Sequence, residues 1–457
     1  MAEHWHFNWP TCAHPLFVDG ASAILTVGCW AKQLATCRAM VSTMSGPRVL
    51  LYQDDSVQFS LWLFALLQAG KTVILPPNGL SETLAQAAHH ADEQVLPDTA
   101  VPHSDDDDPL FDSPQLKGVD MSLPFSARIV FFTSGSSGQP KLVEKALWQL
   151  HTEIQVIQQT FAGLSAQQSM VVAATVPHQH IYGLLFRILW PFSQGWTLLH
   201  QTVHFAEQWL ALNTQQHPVV LISSPAHLTR YDDVSKVKQW PAKFVAVFSS
   251  GGPLAMSDAV RFYQQSGLAI TQIYGSTETG GIGYKQQLLA EHEAVWRSFA
   301  GMQIAQDEHG CLLLRSPYLA EPEWYVTTDL VTLHDAEQFS LGGRVDRIVK
   351  LAEKRLSLFE VENLCNSLSF VRQAVALIVP ANTGATRAHL ALVIELTETG
   401  QHMLVSLGKH AVNQQIKQAL AARFETVLLP RRFRYVDQLP FNAQGKLPLQ
   451  QLELLFL

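Results

Sequence analysis

The sequence is poor in the features that mark several classes of protein. Only 15% of its 457 residues are charged and the net charge is −8, so a uniformly basic surface for nucleic acid is not expected. Its five cysteines form no CxxC pair, which favours reduced, packed thiols of a cytoplasmic protein. The apolar runs Leu61–Leu67 and Ile181–Phe192 are shorter than the ~20 residues of a membrane span, and Arg187 interrupts the second. The N-terminus lacks the basic and apolar stretches of a signal peptide.

Apolar residues make up 47% of the chain, and their order predicts an α/β fold. Strands are predicted over Arg48–Tyr52, Thr72–Leu75, Arg128–Phe132, Met170–Thr175, Val219–Ile222, Phe244–Phe248 and Ala269–Ile273. Helices are predicted over Asp55–Ala69, Leu142–Phe161, Met256–Gln265, Leu358–Leu368 and His410–Phe424. Alternation of strands and helices is typical of a parallel sheet. After Leu330 short strands mix with helices, which indicates a small α+β domain beginning near Gly342–Asp346.

The segment Phe131–Lys141 places glycines and hydroxyl side chains between a predicted strand and a predicted helix. Consecutive backbone N–H groups in such a loop form a nest for anions, and Lys141 adds a positive charge for a phosphate oxygen. The GxxxxGK phosphate-binding motif is excluded because Pro140 stands where that motif requires glycine. A flexible turn without a ligand is the alternative interpretation.

The segment Ile273–Gly280 also follows an apolar strand. Glu278 offers the hard oxygen ligand that Mg²⁺ prefers, and the hydroxyl of Thr277 can donate to a phosphate. The alternative is a helix N-terminus, capped by Ser276 or Thr277, with Glu278 in the first turn. Taken alone, this segment does not decide between a ligand site and a cap.

Together and in this order, the two segments resemble the TSGSTGxPK and YGxTE motifs of acyl-adenylate-forming ligases, which include acyl-CoA synthetases, adenylation domains and luciferases. Six further segments are similar to signatures of that family in the same order: the helix–strand signature at Leu61–Pro77, PxxHxxG at Pro177–Gly183, SGxPL at Ser250–Leu254, TGD at Thr327–Asp329, GRxD at Gly343–Asp346 and LPxTxxGK at Leu439–Lys446. The resemblance covers nearly the whole chain. It implies a large N-terminal ATP- and acid-binding domain of packed α/β sheets plus a small barrel, residues 1–343. A small mobile α+β domain, residues 344–457, would follow and carry the catalytic lysine.

The resemblance implies an ATP- and Mg²⁺-dependent ligase that activates a carboxylic acid as acyl-AMP, releases pyrophosphate and transfers the acyl group to a thiol. The implied catalytic residues are Lys446, which bridges the reacting groups, His180, which lines the acid site, and Glu278, which holds the metal. Implied nucleotide- and phosphate-binding residues are Thr133, Ser134, Gly135, Ser136, Ser137, Gly138, Lys141, Ser250, Gly251, Gly252, Tyr274, Gly275, Thr277, Asp329 and Arg344. Asp346 is the implied hinge. An exposed lysine and a packed histidine are the alternatives for Lys446 and His180.

Two features modify this expectation. The pair His178 and His180 has no third ligand at metal spacing, so zinc is not expected. Glu353 stands where the family carries a glycine that lets the backbone approach the pantetheine channel closely. A negative side chain at this position indicates a different geometry for the acceptor, or a non-thiol acceptor. In its short length, the chain resembles compact bacterial members of the family that act in fatty-acid-type or aryl-polyene pathways. That implies an aromatic or medium-chain acid and CoA or a separate acyl carrier protein as acceptor. Two alternatives stay open: a catalytically weak nucleotide-binding or carrier-interacting homologue, and an adenylating enzyme with a non-thiol acceptor.

Overall fold

A computed structural model gives the fold as two units. It describes residues 3–7, 11–19, 22–101, 121–134, 140–166, 169–205, 208, 217–229, 244–289, 293–351, 354–379, 388–442 and 447–456. The first unit contains the described residues up to Met302 together with Ser316–Pro322. The second contains Gln303–Arg315, Glu323–Asn442 and the end of the chain. The boundary expected at residues 343 and 344 stays a prediction of where a mobile domain begins.

One sheet of the first unit is mainly parallel. In spatial order it contains β6 (Glu93–Val95), β4 (Arg48–Leu51), β5 (Thr72–Leu75), β8 (Arg128–Ser134) and β9 (Pro140–Ala146). The crossover from β4 to β5 is helix α2 (Ser56–Gln68), which begins where the Asp55 carboxylate accepts from the Gln58 N–H at 2.9 Å. Its segment from Phe59 to Leu67 is fully buried, as expected for a helix that is apolar on every face.

Strand β9 corrects the helix predicted over Leu142–Phe161. β9 runs antiparallel to β8 and pairs Lys141 with Thr133, and only α4 (Leu147–Thr160) is helical. Pairing with β8 gives the backbone groups of this segment partners that a local helix prediction does not take into account. The segment that resembles a phosphate loop therefore joins two antiparallel strands rather than a strand and a helix.

The second sheet of the first unit has a parallel centre and antiparallel edges. In spatial order it contains β16 (Trp296–Ser298), β15 (Gly280–Gln286), β14 (Ile270–Ser276), β13 (Phe244–Ser249), β12 (Val219–Ser223), β10 (Val171–Ala174), β11 (Thr197–Leu199), β2 (Pro15–Asp19) and β3 (Ser22–Thr26). Strands β14 to β2 of this order are parallel. Every residue of β12 is buried, because a central parallel strand is covered on both faces.

Short elements complete the first unit. β1 (His4–Trp5) pairs with β7 (Leu123–Pro124). Its other helices are α1 (Val27–Ser42), α3 (Ser81–Ala88), α5 (Ala162–Ser165), α6 (Ile181–Gly183), α7 (Trp190–Gln194), α8 (Pro225–Leu228) and α9 (Met256–Ser266). A π-helix over Leu184–Leu189 links α6 to α7. None of the helices in the described part of the chain combines the length and hydropathy that a bilayer crossing requires.

Within its described residues, the second unit is built from mainly antiparallel strands, three α-helices and two short 3₁₀ helices at Val345–Arg347 and Thr426–Leu428. The strands are β17 (Gln303–Gln306), β18 (Cys311–Arg315), β19 (Tyr325–Leu333), β20 (Gln338–Arg344), β21 (Ile348–Leu351), β22 (Lys354–Ser357), β23 (Val371–Val379), β24 (His389–Leu396) and β25 (Arg432–Val436), of which β25 alone runs parallel to its neighbour. The helices are α10 (Leu358–Asn366), α11 (Glu398–Ala421), which is interrupted at Gly408, and α12 (Leu449–Leu454). The predicted α/β fold class is confirmed.

Candidate active site

The turn between β14 and β15 carries Glu278. Ser276 and Thr279 brace this turn: each backbone N–H donates to the other residue's hydroxyl at 3.1 Å, and the two hydroxyl oxygens lie 3.0 Å apart. The turn is part of an antiparallel hairpin in which Ser276 pairs with Gly280. The alternative of a helix N-terminus at Ser276 or Thr277 is therefore wrong.

Lys141 from β9 lies beside the Glu278 carboxylate, with 2.9 Å between Nζ and Oε1. Burial alone would raise the pKa of Glu278, but the hydrogen bond and charge of Lys141 outweigh burial, and the pKa is lowered. The carboxylate is about one quarter exposed and stays anionic at neutral pH. A cationic donor and an anionic oxygen ligand are thus held together at the turn of this hairpin.

Glycine at position 275 is required by a close backbone approach. A Cβ added there would lie 2.2 Å from the carbonyl oxygen of Gly280 on the facing strand. The neighbouring residue Tyr274 packs its ring against Trp296, with 5.5 Å between centroids. Ser250, in the loop after β13, donates its hydroxyl to the carbonyl of Ile273 at 2.9 Å. The SGG segment is thereby tied to the strand that leads into the Glu278 turn.

The adjoining Gly251 has a φ of +93°, which a glycine adopts without strain. Gly251 and Gly252 are both exposed. The backbone groups of these two glycines are therefore accessible from solvent.

The PHQHIYG segment folds back on itself. His180 caps α6, because its Nδ1 accepts from the Gly183 N–H at 3.1 Å. A Cβ on Gly183 would lie 1.9 Å from the Pro177 carbonyl oxygen, so this turn also requires glycine. The Gln179 amide donates to the Gln53 carbonyl at 2.6 Å and anchors the segment to the loop after β4. The rings of His180 and Tyr182 are stacked with centroids 6.1 Å apart.

His178 is a buried structural residue. Its Nε2 lies 2.8 Å from the Gln53 carbonyl oxygen. Burial, and next the charge of Arg187, hold the pKa of His178 well below its usual value. The part of the chain that the structure describes holds no group of three or more His, Cys, Asp or Glu side chains placed for a metal ion.

In the second unit, Arg344 lies between two carboxylates. Its Nη1 is 3.4 Å from Asp329 Oδ1, across the pairing of β19 with β20. Its Nε and Nη2 donate to the two oxygens of Asp346 at 2.9 and 2.8 Å. The Asp329 N–H donates to the hydroxyl of Thr327 at 3.1 Å, which fixes the backbone of the TTD segment. Asp329, Arg344 and Asp346 thus form one charged group.

Several predicted residues lie outside the described residues: Gly135, Ser136, Ser137, Gly138, Glu353 and Lys446. For Thr133 and Ser134 the backbone pairing with Lys141 and Pro140 is defined. The chain on both sides of Lys446 is anchored, because Phe441 and Leu447 pack against a cluster that includes Leu439 and Leu452.

The sequence analysis assigned no role to the buried charged residues Lys145, Glu153 and Arg187. Lys145 on β9 donates its ammonium to the carbonyl oxygen of Glu278. Glu153 on α4 accepts from the Gly281 N–H at 2.7 Å. Arg187, in the π-helix, donates to the Val176 carbonyl at 2.9 Å and so supports the PHQHIYG segment. Nothing in the local sequence distinguished Lys145 and Glu153, since a lone charged residue is usually exposed. Arg187 was visible only as a charge within an apolar run.

A magnesium ion that arrives with nucleotide phosphates needs only one or two protein carboxylates, because phosphate oxygens and waters complete its coordination. The anionic, partly exposed Glu278 fits that requirement. The Lys141 ammonium can donate a charge-assisted hydrogen bond to a phosphate oxygen. The hairpin can therefore hold a metal-bound polyphosphate.

Comparisons with known proteins agree with this chemistry. The family model of AMP-binding enzymes matches residues 29–309. The 4-coumarate–CoA ligase of Cereibacter sphaeroides is 25% identical over 323 residues, 70% of this chain and 70% of that protein. The D-alanine–D-alanyl carrier protein ligase of Staphylococcus epidermidis is 32% identical over 123 residues, 27% of this chain and 24% of that protein. A crystal structure of a benzoate CoA ligase from Burkholderia xenovorans shares the fold, with a TM-score of 0.74, 17% identity and 97% coverage of both chains.

The match covers more than half of the chain and includes both Lys141 and the hairpin that carries Glu278. The predicted family is therefore confirmed, as is the predicted class of AMP-forming acid–thiol ligase, and this chain belongs to the AMP-binding enzymes.

Proposed function

We propose that this enzyme activates an aromatic or medium-chain carboxylic acid as acyl-AMP and passes the acyl group to CoA or to a separate carrier protein. The observation that carries the proposal is the ion pair, 2.9 Å long, between Lys141 of β9 and Glu278 on the braced turn of the β14–β15 hairpin. Attack of a carboxylate on the α-phosphorus brings two anions together, so the site must neutralise charge and align the groups. A lysine and a metal-holding carboxylate supply the first of these needs.

The nucleotide would be held by groups from several loops. Lys141, Thr277 and the backbone and hydroxyls of residues 133–138 would bind the phosphates. Mg²⁺ held by Glu278 would offset phosphate charge when bound. The open backbone of Gly251 and Gly252, with Ser250, Tyr274 and Gly275, would accommodate the adenine. These assignments rest on the residue types and on the braced geometry of the hairpin and its neighbouring loop.

The second unit would supply the ribose contacts and the catalytic lysine. Asp329 would accept hydrogen bonds from the ribose hydroxyls, with Arg344 beside it. Lys446 would donate both to the acid carboxylate and to a phosphate or ribose oxygen. Asp346 would be the hinge about which residues 344–457 turn between acyl-AMP formation and thiol transfer, since a few residues can absorb such a rotation.

The acid class is inferred from the packed aromatic side chains next to His180. Tyr182 and Phe186 have ring centroids 5.0 Å apart, and Phe186 lies 5.3 Å from Phe248. Apolar and aromatic side chains favour a carbon-rich acid over a charged one. The relatives named for 4-coumarate and benzoate also act on aromatic acids.

The first experiment is ATP–pyrophosphate exchange over a panel of aromatic, medium-chain and long-chain acids. We expect exchange with aromatic or medium-chain acids, its loss in Lys446→Ala, and wild-type exchange in Lys409→Ala, which removes an exposed lysine of α11. Full exchange in Lys446→Ala would remove that lysine from catalysis. ATP binding without exchange for any acid would favour a non-catalytic homologue.

The acceptor is tested on the acyl-AMP that this assay identifies. CoA, a holo carrier protein and a simple amine are offered in turn, with wild type and Glu353→Gly compared. We expect a thioester with one of the thiols. An amide product alone would establish a non-thiol acceptor.

A further inference from the structure

Two lysines on β9 contact Glu278 at different atoms. Residues 141 and 145 share one face of the strand, because side chains alternate between faces. Lys141 is exposed and binds the Glu278 carboxylate, whereas only 4% of Lys145 is exposed and its ammonium donates to the Glu278 backbone carbonyl. One strand therefore contacts both the side chain and the main chain of the proposed metal ligand.

The other end of the same turn is held by Glu153. This carboxylate, 4% exposed, accepts from the Gly281 N–H at 2.7 Å. A Cβ on Gly280 would lie 2.5 Å from Glu153 Oε2, so the hairpin backbone lies directly against the carboxylate. Tyr318 donates its hydroxyl to the Gly281 carbonyl, and Gln149 donates to the Tyr318 carbonyl at 3.0 Å. The N–H of Gly281 is thus hydrogen-bonded to Glu153, and its carbonyl is hydrogen-bonded to Tyr318.

A buried lysine and a buried glutamate are a costly way to hold a turn. Lys145 and Glu153 are each only 4% exposed, and removing a charged side chain from water costs several kcal/mol. Apolar residues of similar volume would pack this position as well or better. What they could not supply is a donor for the Glu278 carbonyl and an acceptor for the Gly281 N–H.

From this geometry we infer that Lys145 and Glu153 are positioning residues that fix the Glu278 turn from both ends. The inference rests on the proposed role of Glu278. Lys145 and Glu153 touch neither the nucleotide nor the acid in this scheme, and they act through the backbone of residues 278 and 281. A displacement of about 1 Å in a reacting group reduces turnover by about 100-fold. Loss of either contact should therefore impair the nucleotide step and leave affinity for the acid unchanged.

The test compares Lys145→Met with two further variants. Lys145→Met/Glu153→Gln removes both charges and keeps an acceptor for Gly281. Lys71→Met is the matched control, because Lys71 also donates its ammonium to backbone carbonyls, those of Met44 and Gly46 at 2.8 and 2.7 Å. Readouts are kcat and KM for ATP and for the acid, the half-saturating Mg²⁺ concentration, and amide hydrogen exchange of residues 274–286.

We expect Lys145→Met to lower kcat by about 10- to 100-fold, to raise the Mg²⁺ requirement and to speed amide exchange in residues 276–281, with the KM for the acid unchanged. The double variant should show the same defects, and Lys71→Met should show none. In a Glu278→Gln background, adding Lys145→Met should change kcat by less than about twofold, since both act through one group. The inference would be overturned if the double variant had the kcat of wild type and the wild-type rate of amide hydrogen exchange in residues 276–281.

The two proposals fail in different ways. If wild type exchanges pyrophosphate with no acid, the proposed function is wrong. Amide exchange of the turn and calorimetric binding of Mg·ATP to the same variants would then still decide the positioning role. If wild type is active and Lys145→Met matches it in kcat and in exchange of residues 276–281, the positioning role alone is wrong.

Discussion

Arg344 binds Asp346 through two parallel hydrogen bonds, from Nε to Oδ1 at 2.9 Å and from Nη2 to Oδ2 at 2.8 Å. These bonds lower the pKa of Asp346, so the carboxylate is ionised at neutral pH. The remaining Nη1 faces Asp329 at 3.4 Å. One guanidinium therefore joins the proposed ribose ligand to the proposed hinge. Since the side chains of Arg344 and Asp346 are 47% and 38% exposed, water screens this pair and it contributes little to stability.

Replacing Arg344 by methionine should weaken ATP binding while leaving the stability of the fold nearly unchanged. We expect Arg344→Met to change the free energy of unfolding by less than about 1 kcal/mol, because exposed ion pairs contribute no more than that. The Kd for ATP should rise by about tenfold, the loss of one charged hydrogen bond. Calorimetric titration and chemical denaturation measure the two quantities. Arg423→Met, which removes an exposed cation 3.5 Å from Glu360, should leave both unchanged. An unchanged Kd in Arg344→Met would contradict the ribose-side role.

A methyl group at position 275 should damage the hairpin. The Cβ of Gly275→Ala would lie 2.2 Å from the Gly280 carbonyl oxygen and 2.9 Å from the Gly281 Cα, and both are backbone atoms that cannot rotate away. We expect a loss of about 1–3 kcal/mol in the free energy of unfolding and a collapse of pyrophosphate exchange. In the control Gly163→Ala, the new Cβ meets no atom within 4 Å. That variant should be as stable as wild type or more stable by about 0.5–1 kcal/mol. Equal stability of the two variants would show that the backbone at Gly280 does not approach residue 275 closely.

The sequence predicted the elements whose apolar pattern is local. Helix α2 and strands β4 and β5 were predicted to within a residue or two, because length distinguishes apolar strands of 4 residues from an apolar helix of 13. Strand β9 was predicted as helix because its structure depends on pairing with β8, which no local pattern records. Propensity is overridden where a neighbouring strand supplies backbone partners.

The site was predictable where glycine marks a close approach. Gly183 and Gly275 both stand in segments matched to family motifs, and at both a Cβ would clash with a backbone oxygen. Lys145 and Glu153 carried no such mark. Lys145 is buried only because the turn at Glu278, 133 residues later, supplies its acceptor, and Glu153 meets the Gly281 N–H 128 residues away. Contacts at such separations follow from the topology and not from local sequence.

Removing the charge of Lys141 should impair the nucleotide step selectively. We expect Lys141→Met to lower pyrophosphate exchange by about 100-fold, since one charged donor at a developing phosphate charge contributes about 3 kcal/mol. The KM for ATP should rise and the KM for the acid should not. Steady-state exchange kinetics measure all three. Arg128→Met is the control, because it also removes a cation, from the adjacent strand β8. Arg128 pairs with Glu144, whose side chain is 47% exposed, and not with Glu278. Equal losses in the two variants would point to a general effect of charge on the sheet.

His178 should make the enzyme less stable in mild acid. Histidine in the unfolded chain titrates near 6.5, whereas burial keeps the folded pKa of His178 well below that value. The unfolded state therefore binds the proton more tightly, and stability is lost as pH falls below about 6.5. At pH 5.5 the loss from this residue is roughly 1.4 kcal/mol. Chemical denaturation of wild type and His178→Gln between pH 8 and 5.5 measures it, and we expect the variant to lose that much less.

The sign of this effect tests the cause of the shift. The hydrogen bond from His178 to the Gln53 carbonyl favours the charged ring and, acting alone, would raise the pKa. Acid would then stabilise wild type relative to His178→Gln. Burial and the nearby Arg187 guanidinium act in the opposite sense, and burial is the larger effect. His402→Gln, an exposed histidine on α11, should follow the wild-type curve. Parallel curves for wild type and His178→Gln would mean that the ring is solvated and that burial does not lower its pKa.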